Sequence, residues 1–148
     1  MKSLRELFRI GFGPSSSHTI GVGRACEEFL RVVPDAKNYI ITLYASLAMT
    51  GRGHGTHEVI KRTFGERKIK IIFDEETLDI PHPNTFDIKT HGKFARFIST
   101  GGGAFEVDHC KTNFQIHGDE IHAKDIYPHS SFSAISQYCK IKKISLCS

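Results

Sequence analysis

At 148 residues the chain has the length of one ordinary domain, enough to bury about 68–70% of its unfolded surface and build a core without staples. Its 39% apolar and 24% charged residues are those of a soluble globular protein, and no apolar run approaches the roughly 20 residues that cross a bilayer, so no membrane partner is expected. The net charge of +4 is spread along the chain among acids, which is not the footprint of a nucleic-acid binder. One domain spanning residues 1–148 is therefore expected.

The opening residues, Met1 to Leu7, are amphipathic and include an acid, unlike a signal peptide, which reads as cytoplasmic. Cys26, Cys110, Cys139 and Cys147 form no Cys-x-x-Cys pair and no zinc-type spacing, so they read as thiols in a reducing compartment. No metal ligands are assigned to this chain. The remaining histidines, His57, His91, His109, His117, His122 and His129, read as surface or structural residues.

In chain order, Leu4, Leu7, Phe8 and Ile10 suggest a short helix that stops at Gly11. Beyond a Ser/His turn, Ala25, Phe29, Val32 and Val33 recur at helical spacing until Pro34-Asp35. Asn38 to Ser46 reads as a largely buried strand. A glycine-rich turn around His54 then leads into a helix from His57 to Thr63, closed by Gly65. Three strands follow, Lys68 to Asp74, Thr85 to Thr90 and Phe94 to Ser99, with a tight connection at His91-Gly92-Lys93. Gly101 to Gly103 reads as a bulge or a point of close backbone approach, with Ala104 to Asp108 as an edge. Ser131 to Lys140 reads as a closing helix. This order predicts an α+β fold: a helix-strand-helix-three-strand core in which a small mixed sheet carries its helices on one face.

Two segments carry more polar chemistry than their elements need. Gly11-Phe12-Gly13-Pro14 is followed by Ser15, Ser16, Ser17, His18 and Thr19, just before a helix. One hydroxyl would cap that helix, whereas five polar groups at a helix start suit a carboxylate or phosphate. Ser-rich stretches also occur as plain turns. Thr50-Gly51-Arg52-Gly53-His54-Gly55-Thr56 repeats the recipe, reading either as a surface turn or as a loop whose glycines let a ligand approach His54. An imidazole takes a proton near neutral pH, as a general base must. Pro81-His82-Pro83-Asn84 is a stiff turn whose Asn84 amide can orient a carboxylate or simply hold the loop. The triple glycine lacks the spacing of a dinucleotide fingerprint.

The run from Leu7 to Gly11, Gly13 to Thr19, Leu43 to Thr56, His82-Pro83-Asn84 and Gly101 to Gly103 resembles the beta domain of the iron-sulfur-dependent L-serine dehydratases, or L-serine ammonia-lyases. Tyr127-Pro128 through Cys139 is similar to that family's closing helix. The resemblance implies a serine-metabolism-enzyme domain, shared with some phosphoglycerate dehydrogenases, and cytoplasmic serine catabolism: L-serine goes to pyruvate and ammonia. It also implies a [4Fe-4S] cluster, held by an alpha subunit or domain and not by this chain, acting on the substrate hydroxyl while a base removes the α-proton. On that reading His54 is the base and His18 the second candidate. Ser15, Ser16, Ser17 and Thr19 bind substrate or line the alpha interface, and Asn84 orients the carboxylate. A homodimer is compatible with it. Ala45 stands where the family usually has Gly, Val22-Gly23 where Pro and a larger residue are common, and His57 where an Asp is usual. The competing reading is a non-catalytic L-serine-binding regulatory module.

Overall fold

The computed structural model describes residues 13–112 together with 115, 116 and 118, all within one compact unit, Arg9–Glu120. The expected opening helix, the closing helix Ser131 to Lys140, Gly11-Phe12, Cys139 and Cys147 lie outside the described residues.

The elements run α1 (Ile20–Val32), β1 (Asn38–Tyr44), α2 (Ala45–His54), α3 (Thr56–Phe64), β2 (Lys68–Asp74), β3 (Thr85–Thr90), β4 (Lys93–Gly101) and β5 (Ala104–Lys111). The strands form one mixed sheet in the order β2-β1-β3-β4-β5. Only β1 and β2 are parallel, because the α2-α3 crossover returns the chain to the same end before β2 starts. The expected α+β fold is present, and among the described residues α2 is a helix that the sequence reading did not give.

Alternation decides which sheet face is covered. Tyr39, Ile41 and Leu43 are buried on β1, while Ile40 between them is exposed. Register places Ile41 beside Ile88, Leu43 beside Phe86, Phe86 beside Phe97 and Ile88 beside Ala95, so these residues share the face on which the helices lie. α1 adds Val22, Ala25, Cys26 and Phe29 to the same core, and α3 adds Ile60 and Phe64. Phe97 is its centre: its ring stacks on Phe86 at 5.4 Å between centroids and meets Phe105 and Phe29 edge-on at 6.0 and 6.4 Å. Burial raises the Cys26 thiol far above its ordinary pKa, the state of an inert core residue.

The opposite face holds a polar knot. Arg96 donates through Nε to Asp87 Oδ1 at 2.7 Å and through its second terminal nitrogen to Oδ2 at 3.0 Å. Tyr44 donates its hydroxyl to the same carboxylate at 2.9 Å. Burial, then the bond to Asp87, pushes the Tyr44 phenol up to about 12. Asp87 is 1% exposed, and these donors satisfy a carboxylate that would be costly to bury alone.

Local results refine the sequence reading. Residues 45–54, read as the end of a strand and a loop, form the helix α2, because Leu47, Ala48 and Gly51 bury against the neighbouring elements and outweigh the poor helix propensity of two glycines. Gly55 ends it in the left-handed region, at φ 78°, with its N–H turned back to the carbonyls of Gly51 and Arg52. The bulge expected at the triple glycine corresponds to a register shift at Ser99/Gly101, and Gly102 and Gly103, at φ 56° and 75°, form the two-residue hairpin turn between β4 and β5. Close backbone approach occurs instead at Gly21, where a Cβ would stand 2.2 Å from Ser99 Oγ and 2.8 Å from the Ala104 carbonyl.

Ala45 joins β1 to α2 at φ 37°, a region that costs an L-residue about 1–2 kcal/mol. The strain sits just before Ser46, whose N–H donates to the Pro83 carbonyl at 3.0 Å. Ala45→Gly should therefore stabilise the domain by about 0.5–1 kcal/mol. An unchanged or lower urea midpoint would argue against the strain.

Candidate functional site

The two polar segments meet. Ser15 to Thr19 form a single turn leading into α1, closed by bonds from the His18 and Thr19 N–H groups to the Ser15 carbonyl and from the Gly21 N–H to the Ser16 carbonyl. The amides of 18, 19 and 21 are thus spent within the turn. Thr19, at the N-cap, donates its hydroxyl back to the Ser15 carbonyl at 2.7 Å and is buried. It holds the turn rather than capping the helix.

His18 is carried by this turn to the side of α2, where Ser46, Thr50 and His54 recur every fourth residue on one helix face. Its Nε2 lies 3.2 Å from Ser46 Oγ and 3.0 Å from Thr50 Oγ1; its Nδ1 lies 3.0 Å from Ser15 Oγ and 3.1 Å from Ser17 Oγ. Thr50 donates its own hydroxyl proton to the Ser46 carbonyl at 2.7 Å, so its oxygen accepts from His18. Nε2 therefore carries the His18 proton, and Nδ1 accepts from the serine hydroxyls. Both nitrogens are occupied.

His54 differs. Its ring lies 4.7 Å from that of His18, and its Nδ1 is 3.1 Å from the Thr50 carbonyl. A carbonyl only accepts, so Nδ1 bears the proton and Nε2 is left with the lone pair a base requires. Burial, and then the field of His54, lowers the His18 pKa below 6.5, while the Ser46 backbone pulls it up. The folded protein then binds fewer protons than the unfolded chain as pH falls through 6.5, and stability falls with it until the folded pKa is passed. Melting temperature measured from pH 7.5 to 5 should accordingly drop less steeply in His18→Gln than in wild type. Parallel curves would remove His18 as the cause.

Asn84 stands at the neighbouring rim. Its amide nitrogen donates to the Ser99 carbonyl at 3.3 Å, its N–H to His82 Nδ1 at 3.0 Å, and its carbonyl accepts from the Ser99 N–H at 3.0 Å. Ser16 is partly exposed on the turn. The structure thus gathers Ser15, Ser17, His18 and His54 directly, with Asn84 on the next loop. Ser46 was not singled out by the sequence reading, nor Thr50 as an individual site residue; the spacing 46, 50, 54 would have flagged both once α2 was recognised. Among the described residues no three His, Cys, Asp or Glu side chains converge, and Cys26 is buried in α1 while Cys110 is exposed on β5.

Residues 3–68 match a family described as serine dehydratase beta chain. Over that segment, somewhat less than half of its length, the chain is similar to the serine dehydratase beta-chain family. The L-serine dehydratase 2 of Escherichia coli (strain K12) is 32% identical over 130 residues, 82% of this chain and 26% of that protein. An L-serine dehydratase of Helicobacter pylori (strain ATCC 700392 / 26695) is 44% identical over 62 residues, 39% of this chain and 14% of the relative. One from Streptomyces coelicolor is 42% identical over 64 residues, with the same two shares. The chain spans about a quarter or less of the length of these relatives. The matched family segment contains the whole histidine-hydroxyl cluster, from Ser15 to His54. Among its described residues no helix is long and apolar enough to cross a membrane.

Proposed function

We propose that this chain supplies the base-bearing part of an L-serine ammonia-lyase, working with an alpha subunit or domain that holds the [4Fe-4S] cluster. The observation that carries the reading is the His54 tautomer: Nδ1–H is fixed on the Thr50 carbonyl, leaving Nε2 to take a proton. In the proposed reaction His54 Nε2 takes the α-proton of L-serine and the β-hydroxyl departs as water, giving aminoacrylate. Tautomerisation to the imine and addition of water then release ammonia and pyruvate, so the water lost is regained. No step is assigned to a group bound by this chain.

His18, with Ser15, Ser17, Ser46 and Thr50 around it, acts here as the support that holds the turn against α2 beside His54. Ser16, Thr19 and Asn84 complete the wall, by contact or by holding its loops. L-serine as substrate is supported by the names of the relatives, and a cytoplasmic, serine-degrading role goes with it.

Mixing the chain anaerobically with a cluster-bearing alpha chain should give pyruvate from L-serine. Serine binding by the chain without pyruvate in the mixture would favour the regulatory module instead.

A further inference from the structure

Four hydroxyls surround His18, and three of them can serve it in either direction. The oxygens of Ser15 and Ser17 lie 3.0 and 3.1 Å from Nδ1, and that of Ser46 lies 3.2 Å from Nε2. A serine hydroxyl turns between donor and acceptor, so these contacts are compatible with either tautomer of the ring. Thr50 is different. We propose that Thr50 is the positioning residue of the histidine pair: its side-chain oxygen holds the His18 proton on Nε2, its carbonyl oxygen holds the His54 proton on Nδ1, and the two rings are kept in opposite tautomers. The proposal rests on the reading above for His54 as the base, and gives Thr50 the task of keeping that base available.

The Thr50 hydroxyl donates to the Ser46 carbonyl at 2.7 Å, and a carbonyl has no proton to give back. Its oxygen, 3.0 Å from His18 Nε2, is thereby left as an acceptor alone. A threonine bonded in this way to the carbonyl four residues earlier slightly weakens its helix. Here the bond commits one hydroxyl in a ring of otherwise reversible ones. Ser46 is itself tied to the sheet rim, since its N–H donates to the Pro83 carbonyl at 3.0 Å. One turn further on, the Thr50 carbonyl stands 3.1 Å from His54 Nδ1. Thr50 therefore reaches both histidines, with two oxygens that can only accept from them.

Opposite tautomers matter because the two rings are 4.7 Å apart. A general base becomes a cation while it holds the substrate's proton, and a second cation at that distance opposes it. With Nε2–H spent on Thr50 and Nδ1 filled by a serine hydroxyl, His18 stays neutral beside His54. Burial disfavours the charged ring in the same sense. Without the Thr50 hydroxyl, Ser46 Oγ can donate to Nε2 as readily as accept from it. The proton of His18 is then free to sit on either nitrogen, and the Ser15 and Ser17 hydroxyls reverse with it.

The test is nitrogen NMR of the full chain, isotope-labelled at histidine, at about pH 8, where an ordinary imidazole is neutral. Protonated and bare ring nitrogens differ in chemical shift, so each tautomer is read directly. Wild type should show His18 as Nε2–H and His54 as Nδ1–H, one tautomer each. Thr50→Val keeps the branched shape and removes the hydroxyl; it should give both tautomers at His18 and leave His54 as it was, since the carbonyl remains. Thr50→Ala makes the same deletion with the best helix former, so a misfolded valine variant does not block the measurement. Thr50→Ser should return His18 to a single tautomer, which a merely packed methyl group would not explain. In the mixture with the alpha chain, Thr50→Val should lower kcat about tenfold with KM within about twofold, and Thr50→Ser should recover most of the loss. A wild-type His18 proton on Nδ1, or one His18 tautomer retained in both hydroxyl deletions, overturns the proposal. Two outcomes separate it from the dehydratase reading. Pyruvate formed at an unchanged kcat by Thr50→Val overturns the role of Thr50 and leaves the enzyme. The stated tautomers with no pyruvate from any mixture support the role of Thr50 in the pair and overturn the enzyme.

Discussion

His54→Gln, assayed anaerobically with the alpha chain of the proposed ammonia-lyase, is expected to lower kcat by about 10²–10⁴-fold if His54 is its base, the usual contribution of a positioned general base. Glutamine approximates the length of histidine and can still donate to the Thr50 carbonyl, so the last turn of α2 should survive the change. What it lacks is a nitrogen able to take a proton near neutral pH. KM should move little, because the bond to the Thr50 carbonyl and the helix around it are kept, and the absorbance of any cluster on the proposed alpha chain should be unchanged. A kcat within a few-fold of wild type would move the base to another residue. His18→Gln makes the comparison sharper. His18 has both nitrogens engaged by hydroxyls, so its loss should act through the placement of the turn and appear as lower stability together with a changed KM.

Phe97→Ala should be the most damaging single change to the fold. The ring is fully buried and touches three other aromatic rings contributed by α1, β3 and β5. Truncating such a residue costs about 3–5 kcal/mol through lost transfer energy and an unfilled cavity. That is a large share of the roughly 5–15 kcal/mol that holds an average domain together. Urea denaturation should show a greatly lowered midpoint, with Phe97→Leu in between. A loss below about 1 kcal/mol would mean that the neighbouring rings close the gap, contrary to the dense packing expected of such a core.

The strands were legible wherever period-two alternation met an apolar face. β2 and β3 begin and end at the residues the pattern marks, since Ile69, Ile71 and Phe73, or Phe86 and Ile88, can be satisfied on one side only. α2 was not legible. Gly51 and Gly53 read as loop chemistry, yet a Cβ at Gly51 would stand 3.1 Å from Thr56 Oγ1, so that glycine serves a tight corner between two helices. Composition shows a small residue and not the neighbour it makes room for. The candidate site was half visible for a similar reason. A Ser-Ser-Ser-His-Thr run announces polar chemistry, but only the fold reveals that Ser15 and Ser17 turn inward to His18. The Asp87, Arg96 and Tyr44 knot could not be read at all, because it depends on the register that sets Asp87 opposite Arg96.

The sheet keeps its labour divided. Tyr44, Asn84 and Ser99 stand at one rim, where β1 and β4 end and β3 begins, and the histidine cluster is hung from that rim by Ser46 and the Pro83 carbonyl. Phe29, Ile41, Phe86 and Phe97, which hold the layers together, contribute nothing to the rim chemistry. Changes among the rim hydroxyls can therefore alter what the protein recognises at little cost to folding, while the core can drift in shape and volume without erasing a specificity. A chain arranged in this way is well placed to acquire a new ligand on an old scaffold.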